Sequence, residues 1–217
     1  MKKCIILANG KPPQIQIMKH LQEIGYSTLY CADGGANSAM KLKLKPQYII
    51  GDLDSVHPST LKYYKKSSTI IKISRQNDTD VEKCLKHVIK KKFDEAMLTG
   101  VTGDRLDHTF CNLGIVLKFF NKINVSIVAE NSLLTALTGN HVISSYEKET
   151  ISIYGFDNQT KITSNGLKYP LNKTSLQFGL KESTSNVSTG NKIELKVVGG
   201  IIFLIRDFHM LVKHGLL

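Results

Sequence analysis

No tryptophan occurs among the 217 residues, and arginine is confined to Arg75, Arg105 and Arg206. The first absence leaves any aromatic stacking on a ligand to tyrosine or phenylalanine. The second weighs against a nucleic-acid reader. The formal net charge is +11, but the basic residues are overwhelmingly lysines, scattered on apparent helix surfaces such as Lys83, Lys86, Lys90, Lys91 and Lys92. Base-reading proteins rely on arginine forks, and single-strand binders interleave aromatics with basic groups. Neither pattern is present, so the charge is read as a lysine- and asparagine-rich compositional bias and no nucleic-acid partner is expected.

Long hydrophobic runs are also missing. The longest, residues 4–8 and 201–205, fall far short of the ~20 apolar residues that span a bilayer, so no membrane association is expected. Met1-Lys2-Lys3 precedes only five apolar residues, which is not a secretory signal, and a cytoplasmic location is expected. The four cysteines, at 4, 31, 84 and 111, form no C-x-x-C pair and are read as free, mostly buried thiols. Neither a G-x-x-x-x-G-K-[ST] loop nor a G-x-G-x-x-G fingerprint occurs, which excludes P-loop kinases and classical dinucleotide binders. An aspartyl-phosphate phosphohydrolase would place a D-x-D directly after its first strand, where this chain has Asn9-Gly10.

What is present is a change of texture near residue 130. Before it, short β-branched runs at 4–8, 27–31, 48–50, 70–73, 95–98 and 125–128 alternate with helical periods at 14–24, 37–43, 60–65, 79–92 and 107–120. In the fourth helix Val81, Cys84, Leu85, Val88 and Ile89 make one apolar face. After it, short β-prone runs at 133–137, 141–144, 150–154, 160–163, 192–198 and 201–205 are separated by turn signals, and no long helical period survives. The expected fold class is an α/β N-terminal domain (residues 1–130) with a mainly parallel, Rossmann-like sheet, followed by a small all-β sandwich domain (residues 131–217).

Ligands of open α/β sheets bind outside the carboxyl ends of the strands, and here those ends are acidic. One runs into Asp33-Gly34-Gly35-Ala36-Asn37, the next into Gly51-Asp52-Leu53-Asp54-Ser55, the next into Arg75-Gln76-Asn77-Asp78-Thr79-Asp80. Gly34 and Gly35, ahead of a helix, let backbone N–H groups approach an anion, although a tight turn alone also explains them. Asp52 and Asp54, two apart, point to one side of an extended segment and are able to share a hard cation. An Asx turn explains either aspartate in isolation, and helix capping explains Asp78 or Asp80. Capping does not explain Asp33, Asp52, Asp54 and Asp80 converging on one sheet edge. Clustered carboxylates repel unless a cation neutralises them. The inference is a Mg2+ site and an enzyme that transfers a phosphorus-containing group.

Gly103-Asp104-Arg105-Leu106-Asp107-His108 supplies the complementary positive charge, since arginine matches phosphate oxygens and stays protonated. Asp107 and His108 also suit the first turn of the next helix. His108 is a candidate general base or a hydrogen-bond donor to phosphate, with nothing in the spacing to choose between them.

As an ordered set these motifs resemble the thiamine pyrophosphokinase family over essentially the full length. The matching pieces are Asp33-Gly34-Gly35-Ala36-Asn37, Ile50-Gly51-Asp52-Leu53-Asp54-Ser55, Thr79-Asp80, residues 103–108, Gly166-Leu167-Lys168-Tyr169-Pro170-Leu171 and Ser183-Thr184-Ser185-Asn186. The resemblance implies that ATP donates its terminal diphosphate to thiamine, giving thiamine diphosphate and AMP, in a homodimer with active sites between subunits. It implies Mg2+ held by Asp52, Asp54 and Asp80, which together with Arg105 form the catalytic set. It implies nucleotide contacts from Asp33, Gly34, Gly35, Asn37, Arg105, Asp107 and His108, and thiamine framed by Gln76, Ser185 and Asn186. The chain departs from the family pattern at Asn77, where an acidic residue is usual and Asp78 is a possible substitute, and at Asp104, where glycine is common. The alternatives are a non-catalytic nucleotide or thiamine sensor and a Mg2+-dependent kinase of another small alcohol.

Overall fold

The computed structural model describes every residue of 1–217 except Gln76 and Asp104, so the thiamine role assigned to Gln76 and the departure at Asp104 lie outside the described residues. The described chain separates into two compact units, Met1–Glu130 and Asn131–Leu217.

In the first unit, six strands form a wholly parallel arrangement: β1 (Lys3–Leu7), β2 (Thr28–Ala32), β3 (Tyr48–Gly51), β4 (Thr69–Lys72), β5 (Glu95–Thr99) and β6 (Asn124–Ala129). Their order is β6-β5-β1-β2-β3-β4. The central strand is apolar on both faces, with Cys4, Ile5, Ile6 and Leu7 all at 0% exposure, as a strand covered on both sides requires. The crossover helices are α1 (Ile15–Glu23), α2 (Gly35–Lys41), α3 (Pro58–Tyr64), α4 (Asp80–Lys90) and α5 (Leu106–Phe119). Each expected strand and helix of this unit forms, with ends displaced by one or two residues. The chain winds outward from β1 to β4, then returns to the other side of β1 to lay down β5. That reversal between β1 and β5 is the topological switch point, where the loops leaving the two strands diverge and open a crevice.

The second unit is built on two long antiparallel strands, β7 (Ser132–Ser144) and β11 (Lys192–Asp207). The sequence suggested four short strands here, because Gly139 and Gly199-Gly200 read as turns. Instead the chain stays in the ladder and shifts register between Val197 and Ile202. Gly200 is needed at that bend, since a Cβ there would lie 2.0 Å from Thr160 Oγ1. The two arms of β11 then serve different neighbours. The first pairs with β9 (Lys161–Asn165), and the second with β8 (Thr150–Tyr154), which in turn pairs with β10 (Ser183–Val187). Ile151, Ile153, Ile162, Leu195, Ile202 and Leu204 fill the core between these layers, a small sandwich. A short α6 (Phe208–Lys213), capped by Asp207 accepting from the Met210 N–H at 2.8 Å, follows where no helix was expected.

Cys4, Cys31 and Cys84 are buried and Cys111 is exposed, all as free thiols. Burial pushes the Cys4 thiol up to about 12, which keeps it an inert small hydrophobe.

Candidate active site

A cavity of about 540 Å3 opens at the β1/β5 switch point, with Asp33, Asp52 and Asp80 on one side and Arg105 and His108 among its other lining residues. Its floor is fixed by the backbone: Gly10 N–H donates to Gly100 O at 2.7 Å and Lys11 N–H to Thr102 O at 2.8 Å, tying the loops after β1 and β5 together.

Each carboxylate arrives from the end of a different element. Asp33 follows β2 and adopts φ 45°, a left-handed conformation uncommon for a residue other than glycine. It is 4% exposed; Oδ2 accepts from the Ser55 N–H at 3.2 Å, while Oδ1 is buried without a hydrogen-bond partner among the described residues. Burial, with the Asp80 charge behind it, pushes the Asp33 carboxyl above its ordinary range against the hydrogen bonds from Ser55. Asp52 follows β3. Asp80 is the first residue of α4, but it is Thr79 that caps the helix: Thr79 Oγ1 accepts from Glu82 N–H and Glu82 Oε2 accepts from Thr79 N–H, a reciprocal capping box. Asp80 is thereby left to face the cavity. One oxygen from each of Asp33, Asp52 and Asp80 lies within 4.8 Å of the others.

Asp54 is outside this group. The segment after β3 is not extended, because Leu53 takes φ 67° and breaks the alternation that would align Asp54 with Asp52. Asp54 is exposed, accepting from Ser55 Oγ at 2.9 Å, and its N–H donates to Asp52 Oδ1 at 3.3 Å. Asp78 is also committed elsewhere. It accepts from Lys86 at 2.6 Å and lies 3.5 Å from Arg75, and the Lys86 hydrogen bond holds its carboxyl below the ordinary range. A substitution of Asp78 for an acidic residue at Asn77 is therefore at odds with its pairing.

The Cβ directions of Gly34 and Gly35 and the side chain of Asn37 face protein. A Cβ on Gly35 would lie 2.1 Å from Leu7 O, and one on Gly34 2.4 Å from Asn9 Cγ, so both glycines permit close packing on the loop after β1. Asn37 is 8% exposed; its Nδ2 donates to Ser55 O at 2.8 Å and its Oδ1 accepts from His57 N–H at 3.0 Å, which holds the loop that carries Asp52 and Ser55. Arg105 stands at the N-cap of α5, where its Nε and Nη2 grip Asp107 at 2.9 and 2.6 Å. That grip holds the Asp107 carboxyl well below the ordinary range.

In the second unit, Ser185 is exposed on a bulge of β10 with φ 54°, and its N–H donates to Ser152 Oγ at 3.0 Å. Asn186 is 1% exposed. Its Oδ1 accepts from Tyr169 and Val187 N–H, and its Nδ2 donates to Tyr169 O and Ser183 Oγ. An amide offers two donors and two acceptor sites, so this side chain is fully engaged in positioning residues 169 and 183. In this structure the Asn186 side chain braces the turn that carries Ser185.

Lys83 is not the surface lysine that its sequence context suggests. It is 4% exposed, lines the cavity and donates to Asp80 Oδ1 at 2.8 Å. The available signal was position: 80, 83, 84 and 87 share a helical face, and Cys84 on that face is buried.

Residues 23–129 match the family model described as thiamin pyrophosphokinase, catalytic domain, and residues 140–202 match thiamin pyrophosphokinase, vitamin B1 binding domain. Thiamine pyrophosphokinase 3 of Oryza sativa subsp. japonica is 30% identical over 187 residues, covering 72% of this chain and 69% of its own. Thiamin pyrophosphokinase 1 of Caenorhabditis elegans is 27% identical over 219 residues, covering 93% and 88%. In three dimensions, thiamine pyrophosphokinase from Bacillus subtilis superposes with a TM-score of 0.82 at 22% identity, covering 95% of this chain and 99% of that one. With both family models matched in order along one chain, and a curated relative at that identity and coverage, this protein belongs to the thiamine pyrophosphokinase family.

Proposed function

We propose that this enzyme binds ATP in the switch-point cavity and transfers its terminal diphosphate to the hydroxyethyl oxygen of thiamine, giving thiamine diphosphate and AMP. The observation that carries the reading is the convergence of Asp33, Asp52 and Asp80 within 4.8 Å at the strand ends, in a cavity also lined by Arg105 and His108. Family membership supports the reaction, and no feature favours a sensor or a kinase of another alcohol.

The donor set fits Mg2+. It is composed of carboxylate oxygens, one of which, Asp33 Oδ1, is buried with no hydrogen-bond partner among the described residues, and like charges this close call for a cation. We assign Asp52 and Asp80 as ligands with Asp33 adjoining them, and retain Asp54, carried by the family motif, as a further ligand. Bound there, Mg2+ would neutralise phosphate charge and hold the diphosphate in place. Arg105 and His108 donate to phosphate oxygens from the start of α5, where the helix dipole also favours negative charge. Asp107 keeps the guanidinium in position. Attack on the β-phosphorus is then chiefly a matter of orientation and charge neutralisation, and no covalent intermediate on the protein is required.

Thiamine recognition is proposed for Gln76 and for the 183–187 bulge, with Ser185 presenting its exposed face and Asn186 bracing it. The second unit would serve thiamine binding and dimerisation. A homodimer with active sites between subunits is supported by the apolar side chains of Leu106 (67% exposed) and Phe110 (59% exposed), on the same helix as His108. Four free cysteines suit the reducing cytoplasm, and among the described residues no helix is long and apolar enough to cross a membrane.

ATP labelled at its β-phosphorus tests the reaction. The label is expected in the thiamine product; label retained with the adenine nucleotide would contradict diphosphoryl transfer.

A further inference from the structure

Lys83 is a lysine where lysines are rarely found. Its side chain is 3% exposed, while Lys86, three residues on along α4, is 49% exposed. Burying an ammonium costs more than an isolated ion pair returns, and an apolar side chain of the same length would fill the space without that cost. The burial therefore points to a role in the cavity that Lys83 lines. Its Nζ donates to Asp80 Oδ1 at 2.8 Å, so it is bonded to a member of the three-carboxylate group. An ammonium has three N–H donors, and Asp80 is its one protein partner among the described residues. The capping box fixes Asp80 and Lys83 on adjacent turns of α4, so the pair does not depend on a flexible loop.

We propose that Lys83 is the built-in counter-ion of the carboxylate cluster and a competitor of the metal. In the metal-free protein it holds Asp80. When a divalent cation takes that carboxylate, the displaced ammonium turns to the phosphoryl oxygens of the nucleotide, so that metal arrival and phosphate capture are linked through one side chain. The inference rests on the Mg2+ and ATP reading above and adds a residue to it.

The test is Mn2+ binding, without nucleotide, followed by electron paramagnetic resonance for the unsubstituted protein and for Lys83→Met. Loss of a unit charge near a divalent ion is expected to tighten Mn2+ by about tenfold. At saturating Mn2+, a non-hydrolysable ATP analogue should bind the variant about tenfold more weakly. General damage to the site would weaken both, so the opposite signs are diagnostic. Unchanged or weaker Mn2+ binding by the variant overturns the role of Lys83. Failure of the unsubstituted protein to bind Mn2+ overturns the metal assignment and this inference with it. Should Lys83→Met and Lys83→Gln both fail to fold, a structure of the unsubstituted protein with Mn2+ and the analogue decides. Lys83 Nζ is expected within hydrogen-bond distance of a phosphoryl oxygen, and an intact Lys83–Asp80 pair overturns the proposal.

Discussion

Thr79 and Glu82 satisfy each other across the first turn of α4, the Thr79 N–H donating to Glu82 Oε2 at 2.9 Å and the Glu82 N–H to Thr79 Oγ1 at 3.3 Å. This exchange closes the helix end without using Asp80, whose carboxylate is left to the cavity. Thr79→Ala should cost about 1 kcal/mol of stability, read from the urea midpoint. It should lower turnover far less than Asp80→Asn, for which a loss of at least about a hundredfold is expected by analogy with removal of a transition-state stabilising group. Equal turnover losses would mean that Asp80 acts only through the helix end.

Asp33 combines a left-handed backbone with a buried oxygen that has no hydrogen-bond partner among the described residues. Asn tolerates the left-handed conformation and keeps an oxygen for the Ser55 N–H, while removing a buried charge that faces Asp80. Asp33→Asn is expected to raise the Tm of the metal-free protein at neutral pH and to lower activity. A lower Tm in chelator would show that the carboxylate charge stabilises the fold.

Asp78 gives the acid side of the stability profile. Its folded-state pKa is depressed, first by the Lys86 hydrogen bond, so its contribution is present above the ordinary aspartate value of about 3.9 and lost as pH falls through the lower folded value. Asp78→Asn should lower stability at pH 6 and flatten its decline below about pH 4. Parallel pH profiles for the two proteins would remove Asp78 from the account.

Asn186 holds four hydrogen bonds inside the β-rich unit, and Asn186→Ala removes the buried amide that pairs with the backbone N–H and C=O of Tyr169. A loss of about 1 kcal/mol or more is expected in chemical denaturation. Ser185→Ala, at an exposed position, should leave stability within about 0.5 kcal/mol and raise the thiamine KM. The reverse assignment of effects would exchange the roles given to these neighbours.

The α/β unit was legible because apolar runs and helical periods alternate without ambiguity, and because strand-end aspartates are conspicuous in a chain with few acids. Legibility failed where one residue type serves two purposes. Gly139 and Gly199-Gly200 carry turn chemistry but sit within β7 and β11, since partner strands on both sides of β11 keep the ladder going through the bend. Lys83 has the composition of a surface and the position of a core. Leu53 gives no sign in sequence of the left-handed turn that separates Asp54 from Asp52. Asn186 belongs to a family motif, which marks a residue as important without saying whether it touches the substrate or supports what does.

The central claim is diphosphoryl transfer at the carboxylate cavity, and the most direct measurement is chromatographic separation of products from purified protein given thiamine, ATP and Mg2+, beside a metal-free control and Asp52→Asn. The account predicts thiamine diphosphate and AMP in equal amounts, absent without metal and strongly reduced in the variant. Thiamine monophosphate with ADP, or no thiamine ester from the unsubstituted protein, would contradict it.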